Sequence, residues 1–107
     1  MALRIRLAIA RIFLTHASTN ARVYRVGGDE FAIMFRDTSE TTIRSTLQAI
    51  QEEIHDYPYG KDVNISFSAG VVPINLADRR RRFTDFYEAA DRLLYEAKTE
   101  GKGIIQF

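Results

Sequence analysis

Leu3, Leu7, Ala10, Leu14 and Ala17 recur at spacings of three and four, which places them along one side of a 3.6-residue helix. The spacing predicts an amphipathic helix over residues 2–16. Arg4, Arg6 and Arg11 lie beside or opposite the stripe, and Ser18-Thr19-Asn20 ends it. The pattern then changes. Residues 22–26 and 31–36 read as two strands around Gly27-Gly28, the second apolar throughout, as expected of a strand covered on both faces. Asp37 with Glu40 is a variant of the helix-capping pattern and opens a helix through about Asp56, with Ile43, Leu47, Ile50 and Ile54 on one side.

Tyr57-Pro58-Tyr59-Gly60 breaks that helix. From Asn64 to Val72 the side chains alternate, Ile65, Phe67, Ala69 and Val71 against Asn64, Ser66 and Ser68, which is a strand pattern. Residues 73–82 form a loop. Thr84 is positioned to cap a third helix whose buried stripe is Phe86, Tyr87, Ala90, Leu94 and Ala97, with Gly101 as its stop. Residues 104–107 make a short closing strand. The expected order is α-β-β-α-β-α-β, an α+β sandwich with helices packed on an antiparallel-rich sheet.

Composition narrows the chemistry. At 107 residues the chain is at most one domain, and 46% apolar residues suffice for a core. A net charge of +1 argues neither for nor against a nucleic-acid partner. The absence of cysteine excludes disulfides, zinc–thiolate sites and thiol catalysis, and fits a cytoplasmic location. No uninterrupted apolar run approaches the ~20 residues of a membrane span, and no signal-peptide pattern opens the chain.

The segment richest in chemistry is Arg25-Val26-Gly27-Gly28-Asp29-Glu30-Phe31, set between Val23-Tyr24 and Ala32-Ile33-Met34-Phe35. Paired glycines at a hairpin tip let a ligand approach the backbone, and the adjacent acids offer oxygen donors to a hard divalent cation. Taken alone, the same letters also suit a surface hairpin with solvated acids.

Gly27-Gly28-Asp29-Glu30-Phe31, with the preceding Arg25, resembles the signature hairpin of the GGDEF family, diguanylate cyclases that join two GTP molecules into cyclic di-GMP. Ala90-Asp91-Arg92-Leu93-Leu94-Tyr95-Glu96-Ala97-Lys98-Thr99-Glu100-Gly101-Lys102 is similar to the family's Ala-Asp-x-x-Leu-Tyr-x-Ala-Lys-x-x-Gly-(Arg/Lys) run. Ser66-Phe67-Ser68-Ala69-Gly70-Val71 is similar to its Ser-x-Gly-(Ile/Val) strand.

The resemblance implies a palm-like, ferredoxin-related nucleotide-cyclase sandwich. It implies that Asp29 and Glu30 hold a pair of Mg²⁺ or Mn²⁺ ions, with Asp29 helping to activate the attacking hydroxyl. Gly27 and Gly28 would let ribose and phosphates lie against bare backbone, Lys98 and Lys102 would reach phosphates, and Arg25 would stabilise developing charge. The implied partners are GTP, a second copy in a homodimer and regulatory domains outside this chain. No nucleic acid is expected as a partner.

The resemblance also implies an absence. The full family domain begins with one more strand, which carries a metal-binding aspartate, and with helices that carry the guanine-reading Asn and Asp; these have no counterpart here. This single domain, residues 1–107, is therefore expected to be a partial one: either it is a fragment of a longer protein, or another strand fills the place, for example by exchange between two copies. The family's inhibitory product site, Arg-x-x-Asp, falls on Ser18 and Ala21, so product inhibition there is not expected.

Simpler readings stand beside these. Lys98 and Lys102 suit the negative pole of a helix end, and Arg25 suits a strand edge. The run Arg79-Arg80-Arg81-Arg82 is a solvated loop or a phosphate contact. His16 and His55 stand apart from one another and from the hairpin acids. Three functions remain in view: a diguanylate cyclase active in its complete form, a non-catalytic GTP-sensing or dimerisation module, and nucleic-acid binding through the arginine run.

Overall fold

The computed structural model describes residues 3–17, 20–27, 30–60, 65–74, 82–101 and 103–107, with the backbone alone for residues 25–27. The elements follow the expected order: α1 (Leu3–His16), β1 (Ala21–Gly27), β2 (Glu30–Phe35), α2 (Glu40–Asp56), β3 (Ala69–Gly70), α3 (Phe83–Glu100) and β4 (Ile105–Gln106). The fold is α+β. Its contacts divide into two compact units, Met1–Ile65 and Ser66–Phe107.

In the first unit α1 packs on α2, and the face it buries is Ala8, Ile9, Ile12 and Phe13. This corrects the expected stripe. Leu3, Leu7 and Leu14 are 70%, 55% and 60% exposed, and Ala10 and Ala17 are half-buried. The helix is apolar on two opposite arcs, and periodicity alone cannot choose between them. The arc carrying the isoleucines and Phe13 is the one that meets α2 and β2.

β1 and β2 pair antiparallel, with Ala21 opposite Phe35, Val23 opposite Ile33 and Tyr24 opposite Ala32. Arg36 N–H donates to Asn20 O at 2.7 Å and extends the ladder past the strand end. β2 is not covered on both faces: none of its six residues is fully buried, and Met34 is exposed.

The capping residue of α2 also differs from expectation. Asp37 takes a positive φ of 49° and makes the turn out of β2, a conformation open to Asp and Asn. Ser39 caps instead: its φ and ψ are extended, −68° and 154°, and its Oγ accepts from Thr42 N–H at 3.1 Å. Leu47, Ile50 and Ile54 form the buried stripe, with Ile43 half-buried. The helix stops at Tyr57, in extended backbone as the residue before Pro58 must be. Past the proline, Tyr59 is buried and its carbonyl accepts from Arg4 Nη2 at 3.4 Å.

The second unit joins two strands lying far apart in sequence. β3 pairs parallel with β4, Ala69 opposite Ile105 and Gly70 opposite Gln106. The strand expected over residues 64–72 shrinks to Ala69–Gly70, the stretch bracketed by the bonds from Ala69 N–H to Ile104 O and from Val71 N–H to Gln106 O; Asn64 lies outside the described residues. α3 packs on both strands, and its N-cap is Arg82 rather than Thr84. Asp85 Oδ2 accepts from Arg82 N–H at 2.6 Å, closing the first turn from inside the helix. Phe86 and Ala97 are buried, Ala90 and Leu94 half-buried, and Tyr87, expected in the stripe, is exposed. Gly101, at φ 152°, ends the helix in a conformation that favours glycine.

Gly70 allows the close approach of strand to helix. A Cβ on it would strike Ala90 O and lie 2.5 Å from Leu94 N and 2.9 Å from Leu93 Cβ. Among the described residues, no helix is long and apolar enough to cross a membrane.

Candidate active site on the glycine hairpin

The hairpin that carries the signature is held from below by its own second strand. Successive side chains of β2 alternate between two faces, so Phe31, Ile33 and Phe35 share one and Glu30, Ala32 and Met34 the other. On the inner face the Phe31 ring lies 5.3 Å from that of Phe13, tilted by 30°. Ala21, Val23, Ile33 and Phe35 meet Phe13, His16, Ala17, Thr46 and Ile50 in a mostly apolar seam with no room for a water molecule.

The outer face and tip are what remain for chemistry. Glu30 opens β2 and is exposed, paired in register with Gly27. The register shifts between Arg25 and Gly27, an irregularity of the kind that re-aims side chains beside functional sites. Tyr24 and Met34 are 47% and 41% exposed on this outer face, beside Ala32 and Arg22.

The remaining candidates divide as follows. Gly28, Asp29 and Lys102 lie outside the described residues, as do Ser18 and Arg79, Arg80 and Arg81. Arg25 and Gly27 belong to β1 by backbone, with nothing described of the Arg25 side chain. Ala21 is a half-buried β1 residue facing the apolar seam, which suits its methyl group. Lys98 sits exposed in the last turn of α3, where its charge also complements the helix's negative pole. Arg82 is the N-cap of α3 and uses its backbone N–H on Asp85.

For a divalent cation the donor chemistry of the hairpin is right, since carboxylate oxygen is the hard ligand that Mg²⁺ and Mn²⁺ take. The described part of the hairpin contributes the Glu30 carboxylate, and no group of three or more His, Cys, Asp or Glu gathers among the described residues. The two histidines serve elsewhere. His16 Nε2 lies 2.9 Å from Glu53 Oε2, joining the end of α1 to α2, and His55 Nδ1 lies 3.1 Å from Asp56 Oδ1.

Sequence reasoning missed Phe13 as the support of the hairpin. Its ring stands eighteen residues before Phe31, and no local pattern pairs them.

The chain matches the model of the diguanylate cyclase GGDEF domain over residues 7–103. It is 28% identical over 95 residues to a diguanylate cyclase of Vibrio cholerae serotype O1, covering 88% of this chain and 29% of that protein. It is 27% identical over 97 residues to diguanylate cyclase A of Treponema denticola, covering 88% of this chain and 26% of that protein. Its fold superposes on the active GGEEF domain of a diguanylate cyclase from Vibrio cholerae with a TM-score of 0.83 at 26% identity, covering 96% of this chain and 65% of that one. The chain thus spans under a third of the length of these relatives and about two-thirds of the solved domain. By the match of nearly its whole length to one family model, the chain belongs to the GGDEF family of cyclic di-GMP signalling.

Proposed function

We propose that this chain supplies the glycine-hairpin half of a diguanylate cyclase site, which condenses two GTP into cyclic di-GMP with release of pyrophosphate. The observation that carries the reading is the unbroken Gly27-Gly28-Asp29-Glu30-Phe31 on an antiparallel hairpin whose Phe31 is pinned to α1, with Glu30 exposed.

In this reading Asp29 and Glu30 hold a pair of Mg²⁺ or Mn²⁺ ions, which supply neutralisation of phosphate charge. The chain's own residues do the rest. Gly27 and Gly28 offer backbone N–H groups and clearance to the ribose and phosphates. Asp29 takes the proton of the attacking 3′-hydroxyl. Arg25 stabilises the charge that develops in the transition state, and Lys98 and Lys102 hold the phosphates as mobile point charges. Each subunit of a homodimer presents one GTP, because the two nucleotides attack one another. Exchange of a strand between copies is one way to complete the sheet, and regulatory domains act from outside this chain in the cytoplasm.

A second reading is a non-catalytic GTP-sensing or dimerisation module. One experiment separates the two. The 107-residue chain, and a version carrying the further N-terminal strand and helices of the family domain, are incubated with GTP and Mg²⁺ and the products resolved by chromatography. The cyclase reading expects little product from the first and robust product from the second, abolished by Asp29→Ala. GTP binding without turnover by the longer version selects the module.

A further inference from the structure

The contact between Phe13 and Phe31 falls at a particular rung of the hairpin ladder. Phe31 stands opposite Arg25, the last pair before the register shifts, while Glu30, the next residue toward the tip, stands opposite Gly27. Regular pairing therefore ends one residue short of Glu30. Past that rung the ladder fixes the backbone less well, because an irregularity of this kind leaves a residue of one strand unpaired. The Phe31 side chain holds the root of the tip instead, half-buried, with its ring 5.3 Å from that of Phe13.

Phe13 is a firm support. It is 6% exposed, and the seam it enters is shared with Ile50 of α2. Three residues on, His16 Nε2 lies 2.9 Å from Glu53 Oε2, so the same end of α1 is tied to α2 by a polar contact as well.

We infer that Phe13 is a positioning residue for Glu30: through Phe31 it holds that carboxylate where a divalent cation can take it. The inference rests on the cyclase reading above, in which Asp29 and Glu30 carry the metal. Phe13 acts only through Phe31. Mg²⁺ demands near-ideal octahedral donors and yields its water reluctantly, whereas Ca²⁺ accepts flexible oxygen ligation. A carboxylate loosened at its root therefore loses Mg²⁺ far more than Ca²⁺. A general loss of folding would reduce both alike.

The test titrates the ¹⁵N-labelled 107-residue protein with MgCl₂ and, separately, with CaCl₂, following the Glu30 amide by NMR. Phe13→Leu keeps most of the buried volume but presents no ring to Phe31. It should weaken Mg²⁺ binding roughly tenfold, the usual effect of removing the support of a metal ligand, and Ca²⁺ binding by less than ~3-fold. Phe31→Leu removes the ring from the other side of the contact and should give the same selective loss. Ile54→Val, a buried change on α2 away from the seam, should leave both affinities at the parent's values. Circular dichroism checks that each variant is folded.

Equal weakening of the two ions in Phe13→Leu and Phe31→Leu, or weakening of neither, overturns the positioning role. If Asp29→Ala removes the parent's binding in the same titration, the cyclase reading survives that result. Binding at Glu30 that Asp29→Ala leaves intact, or no saturable shift in the parent, overturns the metal assignment and the positioning role together.

Discussion

Phe13 and Phe31 stack with ring centroids 5.3 Å apart, so the residue that follows the hairpin acids is fastened to the C-terminal part of α1. The position of Glu30 is therefore set by a contact between elements that the chain separates. Phe13→Ala should lower stability by ~3–5 kcal/mol through lost burial and the cavity left behind. Urea unfolding measures the loss. Phe13→Leu, which retains most of the volume, should cost markedly less, and an equal cost would show that the ring contact does not hold the hairpin.

At the start of α2, Ser39→Ala should cost ~1 kcal/mol, because Thr42 N–H loses its acceptor. Asp37→Gly should be neutral or slightly stabilising, since glycine takes the positive φ of 49° without a Cβ penalty. Thermal unfolding of the two variants ranks them, and the reverse order would return the cap to Asp37.

Gly70→Ala should destabilise the second unit by more than ~2 kcal/mol, because the added methyl meets helix backbone at Ala90 and Leu94 rather than a yielding side chain. Protection of the α3 amides from hydrogen exchange should fall. Unchanged protection would mean that strand and helix separate at little cost.

Burial, and to a smaller degree the neighbouring Tyr57 hydroxyl, raise the pKa of Tyr59 above its ordinary 10.0. The folded state then holds the phenol proton more tightly than the unfolded state. The associated stability is complete below pH 10 and is lost as pH rises from there through the folded value. Alkaline unfolding midpoints should show this fall, and Tyr59→Phe should flatten it. A Tyr59→Phe profile that matches the parent would assign the alkaline loss to other groups.

Metal binding by the hairpin of this chain should be weak. Asp29 and Glu30 supply carboxylates, but Mg²⁺ gives up its water reluctantly without several anionic ligands. Calorimetric titration with Mg²⁺ or Mn²⁺ in the presence of GTP should show a low-affinity event removed by Asp29→Ala. Micromolar binding that persists in Asp29→Ala would place the metal elsewhere.

Taken by itself, the sequence determined the order of elements and the hairpin. Glycine pairs, strand alternation and helical stripes are local signals, and Leu47, Ile50 and Ile54 are buried as their spacing demands. The signature residues were legible for the same reason, as a contiguous run whose chemistry needs no partner to be named. What only the tertiary structure decided were choices between locally equivalent alternatives. α1 offers two apolar arcs, and contact with α2 and Phe31 selected Ile9, Ile12 and Phe13 over the leucines. Ser39 rather than Asp37 caps α2 because the exit from β2 needs Asp37 in the left-handed region. The strand around Ala69 is only as long as its parallel partner near Ile105, a length fixed by hydrogen bonds across more than thirty intervening residues rather than by alternation.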